Sequence, residues 1–226
     1  MKNARMFPLL TALVAALAFA SSAGAIPWTE VGDAGDLPAT SQVPTGVGAL
    51  TSISGSVPLF SSTDADMYRL HIPVPGAFSA TTVGTIGTLV DTQLFLFDVG
   101  GFGVYGRDND PGTARTTLPA GSLLGPQSAG DYFLAISGFN RDPVSPGGLI
   151  FPTSPGATLF GPSGPGGALA ISGWTGLEGF SGRGSYTINL TGAEFAAAAA
   201  VPEPGTLLLL GASLLGLIAL RRRRRA

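Results

Sequence analysis

Hydrophobic and polar side chains alternate in several short segments in the middle of the chain, a spacing typical of β-strands with one buried face. The alternation is clearest in Met67–Val74, Asp131–Ser137 and Ser185–Thr191. Leu94–Phe97 is apolar at each position, as expected of a central strand buried on both faces. Glycine and proline separate these segments, and none of the chain between them has helical spacing. The pattern predicts an all-β fold, a β-sandwich over residues 50–192.

The two-residue period also predicts which side chains point inward. In Met67–Val74 the apolar face begins at Tyr68 and recurs at every second residue to Val74, so Arg69 and His71 face the other way. The interior of the sandwich is expected to contain Tyr68, Leu70, Leu94, Leu96, Tyr132, Leu134, Ile136, Ile188 and Leu190.

Three segments lack this regular pattern and are interpreted as non-strand. Residues 26–49 are rich in glycine, proline, threonine and acidic residues and predict an irregular entry segment. Residues 140–167 hold six prolines and many glycines and predict a long loop, with Leu149–Phe151 packing back onto the sandwich. Residues 193–200 read as an alanine-rich spacer.

The C-terminal segment, residues 201–226, combines a turn, an apolar run and a cationic end. Leu207–Leu220 is uncharged and leucine-rich, and Arg221–Arg225 follows it directly. This predicts a transmembrane helix whose arginines stay on the cytoplasmic side of the inner membrane. A 14-residue helix is ~21 Å long, short against a bilayer core of ~30 Å. The shortness favours a processed signal, and a permanent tail anchor is the alternative.

The motif before the apolar run is Val201, Pro202, Glu203 and Pro204. With the glycine-interrupted helix and the arginine cluster, this tail resembles the PEP-CTERM sorting signal of exopolysaccharide-producing Gram-negative bacteria. The resemblance implies that an exosortase recognises the tail and cuts near the motif. It also implies transient residence in the inner membrane, followed by release to the cell surface or extracellular matrix.

The N-terminus predicts a secretory signal peptide over residues 1–25. Lys2 and Arg5 supply a positive n-region, Phe7–Ala20 is an apolar stretch, and Ala23 and Ala25 form a small-residue cleavage site. The predicted mature chain begins with the residue after Ala25. Together the two ends predict an exported protein whose folded part is flanked by a signal-peptide helix and a sorting helix.

Composition narrows the function of the exported part. Residues 26–200 contain five arginines, no lysine and thirteen acidic residues, a net charge of −8, so nucleic acid is excluded as a partner. The chain has no cysteine, which removes disulfides, thiolate metal sites and a cysteine nucleophile. Its one histidine, His71, excludes a histidine-rich zinc or copper site.

The central segments also follow a recognisable order. Asp64–Leu70, Asp91–Asp98, Asp108–Asp110 and Gly130–Gly138 occur in this succession. They resemble the successive motifs of bacterial pre-peptidase C-terminal (PPC) domains over residues ~50–192. The resemblance implies a jelly-roll-like β-sandwich acting as a noncatalytic accessory or binding module. The long proline-rich segment departs from the compact family pattern.

Carboxylates near two turns are candidate ligands for calcium, which prefers six to eight oxygens. One set surrounds a glycine-rich turn, and the other precedes the first long strand. The competing interpretation is ordinary turn chemistry, which the same residue types favour. No other cofactor is expected. The candidate ligands are Asp64, Asp66, Asp98, Asp108, Asn109 and Asp110.

These observations predict an exported, noncatalytic surface or matrix protein associated with exopolysaccharide, biofilm or a neighbouring surface protein. The alternative is a secreted hydrolase with an unrecognised active site. A catalytic His71 would need a serine and an aspartate that the sequence does not place beside it.

Overall fold

The computed structural model describes residues 26–57, 64–153, 157–176 and 183–196, and these form a nearly all-β domain with one short 3₁₀ turn at Pro75–Ala77. The predicted all-β class is therefore confirmed. The strands are β1 (Ile26–Thr29), β2 (Leu50–Val57), β3 (Ala65–Ile72), β4 (Ser79–Thr81), β5 (Thr92–Asp98), β6 (Gly103–Arg107), β7 (Thr117–Leu118), β8 (Gly130–Gly138), β9 (Asp142–Ser145), β10 (Gly148–Leu149), β11 (Gly173–Thr175), β12 (Gly184–Thr191) and β13 (Glu194–Phe195).

Two five-stranded sheets share the main core. The first sheet has the order β1-β2-β12-β4-β7 and the second the order β13-β3-β8-β5-β6. Both sheets contribute to one buried apolar cluster, as in a sandwich, with Ile53 and Ile188 from the first and Leu70 and Leu134 from the second. All nine side chains expected inside are buried, the most exposed being Tyr132 at 8%. The alternating pattern was sufficient to orient these strands.

A second apolar layer covers the outer face of the second sheet. Phe95 and Phe133 point away from the main core and pack with Ile150, Phe151 and other buried residues. This explains why β5 and β8 are buried on both faces, although they lie in a two-sheet sandwich. The packing of Leu149–Phe151 onto the sandwich is confirmed for Ile150 and Phe151, which are 0% and 3% exposed.

The interpretation of residues 140–167 as a continuous loop is wrong. The segment contains β9 and β10, which with β11 form a three-stranded antiparallel sheet in the order β10-β9-β11. Pro143 lies inside β9, although it has no N–H to donate. Its carbonyl accepts from the Ile150 N–H, and the Ile150 carbonyl accepts instead from the Gly164 N–H. A distant glycine thus replaces the missing donor, which local sequence could not reveal.

The domain extends beyond the expected limits of 50 and 192 at both ends. The entry segment 26–49 begins with β1, which pairs in parallel with β2. The spacer 193–200 contains β13, which pairs with β3 and buries Phe195. Both expectations failed because two- and four-residue strands are too short to show a period. Val74, expected on the inner face, follows β3 and is 58% exposed.

The two predicted targeting segments, 1–25 and 201–226, lie outside the described residues. Within the described ranges, none of the helical structure is long and apolar enough to cross a membrane.

Candidate functional site

A carboxylate faces the interior of the sandwich at the start of β3. The period of two places Asp66 on the same face as the buried Tyr68 and Leu70. Asp66 is 0% exposed. A buried carboxylate needs hydrogen bonds or an opposite charge, because water no longer solvates it. Asp66 is thus a candidate residue of a functional site.

Two tyrosines supply part of the compensation. The Tyr186 hydroxyl, from β12 in the opposite sheet, donates to Asp66 Oδ2 at 2.5 Å. The hydroxyl oxygens of Tyr186 and Tyr68 lie 2.5 Å apart, within hydrogen-bond distance. Asp66 Oδ1 is buried and has no hydrogen-bond partner among the described residues. Asp66 Oδ2 is therefore hydrogen-bonded, whereas Asp66 Oδ1 has no hydrogen-bond partner among the described residues.

Two further carboxylates converge on Asp66 from the segment that follows β1. Glu30, Asp33 and Asp66 each place an oxygen within 4.8 Å of the others. Glu30 is fixed in position because its Oε1 accepts from the Ala34 N–H at 2.7 Å and its Oε2 from the Ser56 N–H at 2.8 Å. We call Glu30, Asp33 and Asp66 the carboxylate cluster, and Asp64 lies near it, since the charges of Asp33 and Glu30 raise its pKa.

Burial and mutual repulsion raise the pKa values of the carboxylates in and near the cluster. Burial raises the pKa of Asp66 to about 9, with Glu30, Asp64 and Asp33 adding to the increase. Burial likewise raises the pKa of Asp64 to about 6, again with repulsion from Asp33 and Glu30. The pKa of Glu30 is raised by desolvation despite its two backbone hydrogen bonds. A cation would reverse these shifts by favouring the ionised forms.

The backbone at Gly55 makes room for the cluster. A Cβ added there would lie 2.5 Å from the Tyr186 hydroxyl and 2.6 Å from Glu30 Oε2. Because Gly55 pairs with Tyr186 across β2 and β12, only a residue without a side chain lets these groups meet. An open cleft of about 370 Å³, lined by Glu30, Gly55 and Tyr186, adjoins this side of the cluster.

This donor set fits a hard divalent cation. Three carboxylates offer up to six oxygens without nitrogen or sulfur ligands, the chemistry that calcium prefers. Asp66 Oδ1 is the atom that most needs such a partner. Asp66 lies in β3 of the second sheet and Glu30 follows β1 of the first, so an ion held by both would link the two sheets.

Of the predicted ligands, only Asp66 belongs to this cluster, and Asp64 lies near it. Asp98 instead closes a turn, where its Oδ1 accepts from the Gly100 N–H at 2.8 Å and the Phe102 N–H at 3.0 Å. Asp110 pairs with Arg107 at 2.5 Å. Asp98 and Asp110, two of the four predicted ligands around the glycine-rich turn, therefore already have partners within the protein.

Asp108 and Asn109 remain as polar groups without evident compensation. Asp108 Oδ1 and Asn109 Oδ1 are buried and have no partner in the described part of the chain. Burial raises the pKa of Asp108 to about 6, with repulsion from Asp91 and Asp142 adding to it. Asp108 lines a separate cavity beside β5.

Sequence reasoning missed Glu30 and Asp33. Both lie in the segment interpreted as irregular, and the only signal was an acidic pair in a glycine-rich stretch. The parallel pairing of β1 with β2 brings Glu30 to Ser56, 26 positions along the chain. Such a pairing has no short-range sequence signature.

His71 lies on the outer face of β3, as its position in the alternating pattern predicts. Its Nδ1 is 2.8 Å from Asp131 Oδ1, and Arg69 Nη2 is 2.6 Å from Asp131 Oδ2. Partial burial acts to raise the pKa of Asp131, but hydrogen bonds from His71 and Arg69 outweigh it and lower the pKa. The side chain of His71 is 35% exposed.

Comparison with known proteins bears on the C-terminal segment. No curated protein matches the chain. Residues 200–224 match the family described as the PEP-CTERM protein-sorting motif. The match begins at Ala200 and includes the Val201–Pro204 motif, the apolar run and four of the five arginines. The protein therefore carries a PEP-CTERM sorting signal, which marks it for export and for handling by an exosortase.

Proposed function

We propose that this protein is a noncatalytic surface or extracellular-matrix module, delivered by exosortase sorting and associated with exopolysaccharide or a neighbouring surface protein. The observation that carries the proposal is the sorting motif at residues 200–224, a few residues beyond the last strand of a folded domain. An acidic, cysteine-free and lysine-free body suits that setting. Its PPC-like, jelly-roll character is part of the proposal.

Dual processing is the first component. The predicted cut after Ala25 would leave β1 intact, since this strand begins at Ile26, whose N–H donates to the Ala49 carbonyl at 3.0 Å. Cleavage near Val201–Pro204 would likewise spare β13, which ends at Phe195. Both cuts therefore fall just outside the hydrogen-bonded domain.

Intact-mass measurement of the exported protein from an exosortase-bearing host tests this component. We expect a chain that begins near Ile26 and lacks Leu207–Arg225. The control replaces Pro202, Glu203 and Pro204 by alanine and should retain the tail in the membrane fraction. A wild-type mass that includes the arginines would assign the tail as a permanent anchor.

Calcium binding at the carboxylate cluster is the second component, supported by the unpaired Asp66 Oδ1 and the converging oxygens of Glu30 and Asp33. An ion bound only by the native state stabilises it by ~2.7 kcal/mol at a hundredfold excess over Kd. Millimolar calcium should therefore raise the melting temperature of the metal-stripped exported protein.

A matched pair of variants locates the effect. Asp66→Asn should abolish the calcium-dependent shift, and Asp98→Asn should keep it, because both remove one carboxylate but only Asp66 belongs to the cluster. An equal calcium response in wild type and Asp66→Asn would eliminate the cluster as the site. A response lost in Asp98→Asn alone would move the site to the β5–β6 turn.

The alternative function, a secreted hydrolase, has one favourable observation. Asp131 holds His71 Nδ1 at 2.8 Å, the orientation that a base–carboxylate pair requires. Asp131 also binds Arg69, which is consistent with an ordinary surface ion-pair network. Screening the exported protein against glycan, ester and peptide substrates decides between them. Hydrolysis that disappears in His71→Ala and persists in the matched Arg69→Ala would support the hydrolase.

A further inference from the structure

A second cavity, separate from the carboxylate cluster, lies between β5 and the proline-rich segment that packs over it. Its volume is about 260 Å³. One part of its wall consists of phenylalanine rings and another of amide and carboxyl groups. The residues that line the cavity include Phe95, Phe139, Phe151, Phe160, Asp108 and Asp142.

Three of the rings form a compact aromatic group. The ring centroids of Phe95 and Phe151 are 5.3 Å apart, those of Phe151 and Phe160 5.7 Å, and those of Phe95 and Phe160 6.3 Å. Phe139 adds a fourth ring that is 47% exposed. Aromatic faces carry partial negative charge and attract cations that come within about 6 Å of the ring centroid.

The polar side of the cavity is negative. Asp108 is 7% exposed, and its Oδ1 has no hydrogen-bond partner among the described residues. Asp142 Oδ1 accepts a neutral amide hydrogen bond from Gln93 at 3.1 Å in the same wall, and no other partner lies among the described residues. Burial raises the pKa of Asp108, and repulsion from Asp91 and Asp142 adds to the increase.

The arginines beside this wall have other partners. Arg141, which lies between Asn140 and Asp142, donates from Nη1 to the Gly176 carbonyl at 3.4 Å. Arg107, adjacent to Asp108, pairs with Asp110 at 2.5 Å and donates to the Ala157 carbonyl at 2.9 Å. Residues 26–200 contain no lysine that could place an ammonium group in the cavity. Within the described residues, neither Asp108 nor Asp142 forms an ion pair that would stabilise its charge.

The backbone at the cavity is also held in an uncommon conformation. Asn140, which lines the cavity, has a φ of 68° and is the described non-glycine residue with positive φ. Such conformations persist where surrounding contacts fix them, and they often occur at binding sites.

We propose that this cavity binds a small organic cation, with an ammonium or methylated ammonium group placed between the phenylalanine rings and the Asp108 carboxylate. The rings supply cation–π attraction, and Asp108 Oδ1 supplies the charge partner. A neutral hydroxylated ligand would leave the carboxylates uncompensated. The ammonium group is the recognised chemistry, whether it comes from a free amine or from an amino sugar.

Calorimetric titration of the exported protein at pH 7.5 tests the proposal with choline, methylamine, glucosamine and glucose. We expect saturable binding of at least one of the three amines and none of glucose. The comparison of choline with glucosamine distinguishes a free amine from an amino sugar. The uncharged isostere 3,3-dimethyl-1-butanol should bind at least about tenfold more weakly than choline.

Variants assign the binding to the cavity. Asp108→Asn should weaken binding about tenfold or more, because it removes the charged partner with little change of shape. The matched Asp98→Asn, which also removes one carboxylate but lies outside the cavity, should bind as wild type. Should Asp108→Asn fail to fold by circular dichroism, Asp142→Asn on the same polar side and Phe139→Ala among the rings provide the same readout.

Three results would overturn the proposal. The first is equal affinity for choline and its neutral isostere, and the second is unchanged amine binding in the folded cavity variants. The third is the absence of saturable amine binding at concentrations of tens of millimolar, together with a heat of calcium chloride binding that is present in wild type and lost in Asp108→Asn. That last result would make the cavity a metal site.

Discussion

Asp66→Asn provides the sharpest test of the carboxylate cluster, because the substitution keeps the shape of a buried side chain and removes its charge. The asparagine oxygen can still accept from the Tyr186 hydroxyl. Its amide NH₂ would occupy the position of the unpaired Oδ1, near the oxygens of Glu30 and Asp33. In metal-free protein the variant should therefore be more stable than wild type.

The expected magnitude follows from proton linkage. Burial raises the pKa of Asp66 from 3.8 to about 9. Below pH 3.8 both states are protonated and the contribution of this group to stability is fully present. As the pH rises, the unfolded chain ionises while the native state keeps its proton, so stability falls by about 1.4 kcal/mol per pH unit until about pH 9. At pH 7 the loss reaches an upper limit of about 4 kcal/mol, and asparagine does not incur it.

Urea unfolding of metal-stripped wild type and Asp66→Asn at pH 5, 6, 7 and 8 measures the difference. We expect the stability advantage of the variant to widen with pH. A constant difference across this range would refute the assignment of Asp66 as a protonated, uncompensated carboxylate. So would a variant that is less stable than wild type at pH 7 without metal.

Three further predictions concern packing and can be checked by denaturant unfolding. Leu134→Ala should cost ~2–5 kcal/mol through lost transfer energy and a residual cavity, and a loss below 1 kcal/mol would contradict its central position. Phe151→Ala should cost ~3–5 kcal/mol by removing the ring that joins the three-stranded sheet to β5, whereas Phe102→Ala, 45% exposed, should change stability little. Gly55→Ala should destabilise the fold and abolish the calcium response, because its Cβ would lie within 2.6 Å of Glu30 Oε2; an unchanged response would show that the cluster can open.

The sequence was informative wherever one strand face decides burial. Leu70, Leu134 and Ile188 were assigned to the core from alternation alone, since a shift by one residue would expose every apolar side chain. Applied one step earlier, the same rule would have placed Asp66 on the buried face of β3. The sequence analysis instead treated Asp66 as a candidate ligand beside a turn and did not consider which face of the strand it lies on.

The parts that escaped prediction depend on contacts between distant segments. β9 includes Pro143, which local rules exclude from a sheet interior, and Gly164 supplies the missing donor. Glu30 joins the cluster only because β1 pairs in parallel with β2. The cavity beside Phe95 likewise exists only after the proline-rich segment folds over β5. Short strands and contacts between distant segments produce no periodic pattern in the sequence.

The two ends of the described domain meet at one point of its surface. The Ala49 carbonyl accepts from the Ile26 N–H, and the neighbouring Gly48 carbonyl accepts from the Phe195 N–H at 3.1 Å. A short linker could therefore join residues 26 and 196, with new termini opened at the exposed turn around Gly112. Such a circular permutant would keep every strand pairing while carrying the sorting signal at a different place. Comparing this permutant with the wild-type protein would separate the folding of the domain from the position at which the sorting signal is attached.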